Sequence, residues 1–154
     1  MQTLFKKIIL ATDFSDTSKE ASYYALKLAQ AYRVRLLKAL YVFDTSAWDV
    51  SPSYYFNIVP KKLKFNKVLE DAPRSRQREK DALAGLAKSF GLDVQTTFVE
   101  GAPGEEIVHY AEELNADLLV LGTHGYTGWK RYTLGSVAEF VVRHAPCSVL
   151  TIKH

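Results

Sequence analysis

Two short runs, Lys7-Ile8-Ile9-Leu10-Ala11 and Asp117-Leu118-Leu119-Val120-Leu121, constrain this chain more than any other feature, because each is apolar at consecutive positions. Side chains along a strand point alternately to opposite faces, so a strand apolar throughout needs cover on both faces. That is the condition of a central strand in a parallel sheet. Three further runs read as strands: Val34 to Phe43, Asp93 to Val99 and Ser148 to Ile152. In the second of these, Val94, Thr96 and Phe98 alternate with Gln95, Thr97 and Val99, the pattern of an edge strand.

Helical patterns separate the strands. After Thr12-Asp13-Phe14-Ser15, Thr17-x-x-Glu20 predicts a capping box, with Ala21, Tyr24, Ala25, Leu28, Ala29 and Tyr32 as the buried stripe. Arg74 to Phe90 predicts a second helix, with Leu83, Leu86, Ala87 and Phe90 inward and Gly91 as its stop. Gly101-Ala102-Pro103-Gly104-Glu105-Glu106 opens a third, carrying Ile107, Val108, Ala111 and Leu114. Ser136 to His144 is a fourth, ended by Pro146. Thr45 to Pro73 is too long for an ordinary connection. It holds Pro52, Pro60, Pro73 and a Tyr54-Tyr55-Phe56 cluster, and is expected to be an irregular insertion over 45–73, with a helical piece around Lys64 to Glu70. Five strands alternating with helices imply one α/β domain over 1–154: a parallel, doubly wound sheet with helices on both faces. Such sheets bind ligands beyond the carboxyl ends of their strands, where the strand order reverses.

Composition removes several function classes. With 154 residues and 47% hydrophobic content the chain can bury a core without disulfides. Its single cysteine, Cys147, cannot form an internal disulfide, and beside Pro146 and Ser148-Val149-Leu150 it reads as a buried small hydrophobe. No apolar stretch approaches the ~18 residues that span a bilayer, which argues against a membrane protein. The run from Met1 to Lys7 leads directly into a strand, leaving no room for a signal peptide, so a cytoplasmic location is expected by default. A net charge of +3 does not imply nucleic acid. Between Lys61 and Lys80, eight basic residues oppose three acidic ones, a local +5 that leaves −2 for the rest of the chain. A solvated surface is the plainer reading of that run, and a binding patch the other.

The candidate site is Gly122-Thr123-His124-Gly125-Tyr126-Thr127-Gly128-Trp129-Lys130-Arg131-Tyr132-Thr133-Leu134-Gly135-Ser136, between a strand and a helix. Anionic phosphates need donors that approach closely, and glycine leaves backbone N–H groups unobstructed. Gly135-Ser136 at a helix start adds unpaired N–H groups, the positive end of the helix dipole and a hydroxyl. The segment is neither a Walker A motif nor a dinucleotide fingerprint. On its residues alone it reads either as a phosphate cradle or as a flexible loop.

The spacing Gly122-x2-Gly125-x9-Gly135-Ser136 resembles the G-2x-G-9x-G-[S/T] signature of the ATP-binding branch of the universal stress protein family. Lys7 to Ser15 is similar to that family's first strand and turn, Asp117 to Gly122 to its fourth strand, and Gly135 to Cys147 to its last helix and turn. The resemblance implies a Rossmann-like three-layer α/β/α fold whose five-stranded parallel sheet has the order 3-2-1-4-5. It implies ATP across the tips of strands one and four, with AMP or ADP as alternatives and Mg²⁺ arriving on the nucleotide. Asp13 would contact ribose or adenine, Ala11 and Thr12 would line the pocket, and Val42 would pack on adenine. Gly122, Thr123, His124 and Gly125 would admit ribose and phosphates, while Gly135, Ser136 and Val137 would hold the phosphates through backbone N–H groups and the Ser136 hydroxyl. Some relatives have proline where this chain has Ala11. The resemblance also implies a homodimer through the C-terminal strand, whose apolar, proline-free edge would otherwise be a liability.

Several residues carry a second reading. Asp13 is also a good turn and helix cap. His124 suits a phosphate or a turn, and Lys130 and Arg131 suit phosphate or water. Trp129 and Tyr132 more often brace a loop than stack on a base. His109, His124, His144 and His154 lack zinc-ligand spacing. No nucleophile or Walker-B-like partner is recognisable. The expected function is therefore a regulatory nucleotide-sensing module in stress response, with no catalytic residue and an unknown downstream partner. The alternatives are a slow ATPase and a nucleotide-independent dimeric interaction protein.

Overall fold

A computed structural model describes residues 4–44, 77–78, 81–124 and 134–153. The strands are β1 (Lys7–Ala11), β2 (Leu36–Asp44), β3 (Val94–Gly101), β4 (Leu118–Gly122) and β5 (Ser148–Ile152). The helices are α1 (Asp16–Tyr32), α2 (81–89), α3 (Pro103–Leu114) and α4 (Ser136–His144). All strand pairs are parallel, in the order β3-β2-β1-β4-β5. The expected α/β sheet is therefore present. The 45–73 insertion lies outside the described residues, as does most of the basic run.

Alternation along the central strands divides the core in two. Ile8, Leu10, Leu118 and Val120 enter one layer with Ala21, Ala25, Leu26 and Ala29 of α1 and Leu83 and Ala87 of α2. Ile9, Ala11, Leu119 and Leu121 enter the other with Ile107 and Ala111 of α3 and Ala138 and Val141 of α4. The side chains of Ile8, Ile9 and Leu10 are wholly buried, as are those of Leu119 and Val120. Burying a side chain of this size stabilises the fold by about 1.5–3 kcal/mol.

Helix α1 departs from the expected pattern at two points. Its N-cap is Ser15, whose hydroxyl accepts the Ser18 amide at 3.3 Å, not Thr17. Thr17 instead packs against the backbone at Gly122. The buried stripe is Ser18, Ala21, Ser22, Ala25, Leu26 and Ala29, and Tyr24 is exposed. Small residues bring α1 close to the sheet, and a tyrosine ring does not fit that gap. The two buried serines are satisfied locally: Ser22 Oγ donates to Ser18 O at 2.8 Å, and Ser18 Oγ donates to Asp13 Oδ1 at 2.6 Å.

Left-handed residues end three helices. Arg33 (φ 50), Gly91 (φ 69) and Asn115 (φ 49) follow α1, α2 and α3, and the next amides bond back as in a Schellman closure. Asp117 then fastens the amino end of the sheet. Its Oδ2 accepts the Lys6 and Lys7 amides at 2.8 Å each, while Lys7 Nζ donates to Leu114 O at 2.7 Å. Cys147, expected to be buried, is half-buried. Burial pushes its thiol above the usual range; a backbone hydrogen bond involving Leu119 offsets part of this and the Asp117 charge adds to it.

Asp117→Ala leaves two backbone donors without their carboxylate. Stability should fall by about 1–2 kcal/mol, lowering Tm by roughly 3–6 °C. Asp117→Asn, which keeps one acceptor, should lose less; identical melting of all three proteins would refute this role.

Candidate ligand cavity at the sheet's switch point

From β1 the chain builds outward through β2 to β3, then crosses back to place β4 and β5 on the other side of β1. The strands of the two halves separate at the carboxyl ends of β1 and β4. A cavity of about 480 Å³ opens there, within the range of about 300–1,000 Å³ usual for small-molecule sites.

Its first wall is the turn after β1. Thr12 N–H extends the ladder to Leu40 O at 2.9 Å, and Thr12 Oγ1 accepts the Phe14 amide at 3.0 Å. Asp13 Oδ1 accepts the Ser15 amide at 2.9 Å as well as the Ser18 hydroxyl. The turn-bracing reading of Asp13 therefore holds for Oδ1, while Oδ2 has no hydrogen-bond partner among the described residues. Phe14 sits at φ 64, a conformation that costs a bulky residue about 1–3 kcal/mol. Burial of its ring and stacking on Tyr41, centroids 5.3 Å apart, offset that cost and hold Asp13 at the cavity rim.

The second wall is the neck of the glycine segment. Thr123 N–H donates to Ile152 O at 2.9 Å, which carries the β4–β5 ladder one residue further. Thr123 O then accepts the Gly135 amide at 2.7 Å, closing the segment on itself. The Gly135 N–H is thereby engaged within the protein. Glycine is needed at 135 because a Cβ would lie 2.7 Å from that carbonyl oxygen. At Gly122, which also lines the cavity, a Cβ would meet Thr17 Cγ2 at 2.7 Å, so the missing side chain admits α1.

Helix α4 begins at this neck. Its N-cap is Gly135, with no side-chain cap, so the Ser136, Val137 and Ala138 amides lack intrahelical acceptors. All three residues line the cavity. Helix α3 also starts at the rim, at Pro103, but carries Glu105 and Glu106 in its first turn. Those carboxylates already answer its dipole. The first turn of α4 has only Glu139. His124 places Nδ1 2.9 Å from Thr123 Oγ1, and its Nε2 is buried without a partner among the described residues.

Of the residues expected at the site, Ala11, Thr12, Asp13, Val42, Gly122, Thr123, His124, Gly135, Ser136 and Val137 surround this one cavity. Gly125, Trp129, Lys130, Arg131 and Tyr132 lie outside the described residues. Sequence reasoning missed Ser18, Leu40, Tyr41, Asp44, Pro103, Ile107, Leu121 and Ala138. Asp44 and Pro103 were within reach, since both stand at strand carboxyl ends or the helix starts that follow them. Ser18 and Ile107 carry no such signal; only packing brings them to the wall. Among the described residues no cluster of His, Cys, Asp or Glu could hold a metal ion, and no helix is long and apolar enough to cross a membrane.

Fold and cavity together define a doubly wound α/β protein with a cavity at its switch point. The universal stress protein family matches residues 4–153, and the chain belongs to it. Universal stress protein MJ0531 of Methanocaldococcus jannaschii is 38% identical over 152 residues, covering 99% of this chain and 84% of that protein. The solved structure of the M. jannaschii protein MJ0577 superposes with a TM-score of 0.74 at 28% identity, covering 98% of this chain and 97% of that one. A universal stress protein crystallised in complex with cAMP superposes at 0.68 with 25% identity, covering 97% of each chain.

Gly135→Ala should lower stability by about 1–3 kcal/mol, because the new methyl meets a backbone oxygen rather than a movable side chain. Gly85, within α2, has nothing within 4 Å of a built Cβ. Gly85→Ala should instead stabilise the protein by about 0.5–1 kcal/mol. Thermal melts showing the same sign for both would contradict the neck geometry.

Proposed function

We propose that this protein binds an adenine nucleotide, ATP foremost, in the switch-point cavity and acts as a regulatory sensor with little or no hydrolysis. The observation that carries the reading is the uncapped first turn of α4, whose Ser136, Val137 and Ala138 amides open onto the cavity beside the G-2x-G-9x-G-S spacing. Unpaired N–H groups and the positive end of the helix dipole favour a phosphate. The cAMP complex of a relative is a further support, since it holds an adenine nucleotide.

In this reading the base packs on Val42 beside Leu40, and Ala11 and Thr12 line the floor. Asp13 Oδ2 accepts a ribose hydroxyl. Thr123 and His124 face the phosphates, with Gly125 following them. Ser136 adds its hydroxyl to the backbone donors, and Mg²⁺ enters only on the nucleotide. The sequence holds no Walker A motif and no recognisable Walker-B-like partner, which supports sensing over turnover. The strand β5 forms one edge of the sheet; its pairing with a second copy would give a homodimer. A cytoplasmic setting and a downstream protein partner complete the proposal.

Purified protein, heat-denatured, should release an adenine nucleotide, and stripped protein should bind ATP in a direct titration. Asp13→Ala and Ser136→Ala should each weaken binding about tenfold. Protein that carries no nucleotide and fails to bind ATP at millimolar concentration sinks the proposal. Hydrolysis well above about one turnover per minute, slow against ordinary enzymes, would replace the sensor by an ATPase. Light scattering should give the dimer mass at micromolar concentration; a monomer would remove the β5 pairing.

A further inference from the structure

The α3–α4 contact holds a feature that the cavity lining does not explain. Gly104 lies in the first turn of α3, next to Pro103 at the rim. A Cβ on Gly104 would lie 2.8 Å from Phe140 Cδ1 and 2.9 Å from its Cγ, so the ring occupies the notch that the glycine leaves. Phe140 stands one turn after Ser136 on the same side of α4. Helical side chains lean toward the amino end, which sets its ring under the turn whose amides lack intrahelical acceptors. His144 covers the ring from behind: the two rings stack at 4.2 Å and 23°, and Nδ1 of His144 donates to Phe140 O at 2.8 Å.

We infer that Phe140, seated in the Gly104 notch and backed by His144, is a positioning residue that aims the first-turn amides of α4 at the phosphates of the bound nucleotide. This rests on the nucleotide reading above and adds a residue that touches no ligand. The physical reason is the short reach of a hydrogen bond. Donors 2.7–3.2 Å from an acceptor are effective, and a few tenths of an ångström or a modest tilt forfeits much of the interaction. Helix α4 has no side-chain cap to hold its first turn; beyond the Gly135–Thr123 backbone bond, lateral packing against α3 holds it. The wedge fixes the spacing of α3 and α4 one turn below the donors. The adenosine half of the site, at Val42 and Asp13 on other elements, does not depend on that spacing.

The test compares ATP with adenosine, which has no phosphate. Gly104→Ala forces the ring out of its notch and should weaken ATP binding about tenfold, the worth of one charge-assisted hydrogen bond. Adenosine affinity should stay within about twofold. Phe140→Ala in the same background lets the new methyl take the vacated space and should restore part of the ATP affinity. Should Gly104→Ala fail to fold, Phe140→Leu with the same two ligands decides, with a selective loss for ATP expected. Equal losses for both ligands, or no loss for either, overturn the inference. A wild-type protein that binds neither ligand instead removes the nucleotide reading itself.

Discussion

The pairing of β1 with β4 is the constraint on which the rest of this protein depends. Ile8 to Ala11 lie beside Leu118 to Leu121, and both strands are apolar on both faces. Neither could sit at a sheet edge or face water without exposing a row of Ile, Leu and Val. Helices must therefore cover both sides, and right-handed crossovers allow this only if the chain winds away from β1 in one direction and then in the other. The cavity is a by-product of that reversal. Where the two halves part, the carboxyl ends of β1 and β4 leave a crevice that no crossover fills.

Small residues then decide how closely the helices approach. Ala21, Ala25 and Ala29 bring α1 onto the sheet, and Gly122 lets Thr17 come within reach of the β4 backbone. Gly104 does the same between α3 and α4 through Phe140. At Gly135 the close approach is of the chain to itself, at the Thr123 carbonyl. Three glycines that look alike in the sequence thus meet a threonine side chain, an aromatic ring and a backbone oxygen.

Polar groups at the cavity rim divide between holding the wall and remaining available. Asp13 Oδ1, the Ser15 and Ser18 hydroxyls and the Gly135 amide are all engaged within the protein. Among the described residues, the Ser136, Val137 and Ala138 amides and Asp13 Oδ2 are not. A rim whose supporting bonds are already made reorganises little when a ligand arrives, which is the condition for effective electrostatic binding. The strained Phe14 belongs to the same arrangement, because the rigid turn it closes is what sets Asp13 in place.

By itself the sequence determined the class of fold, the order of strands and helices, and most of the cavity wall. Lys7–Ala11, Ser136–His144 and Ser148–Ile152 fall on the bounds that apolar runs, caps and Pro146 mark in the chain. These are local signals: alternation, helical spacing and chain breakers act between near neighbours. The glycine spacing likewise marked the segment from Gly122 to Ser136. Only the tertiary structure decided what each glycine does, that Ser15 rather than Thr17 caps α1, and that Ser18 rather than Tyr24 faces the core. Ser18 and Ile107 reached the cavity wall the same way. Each of those outcomes turns on the distance between segments far apart in the chain, and packing alone sets that distance.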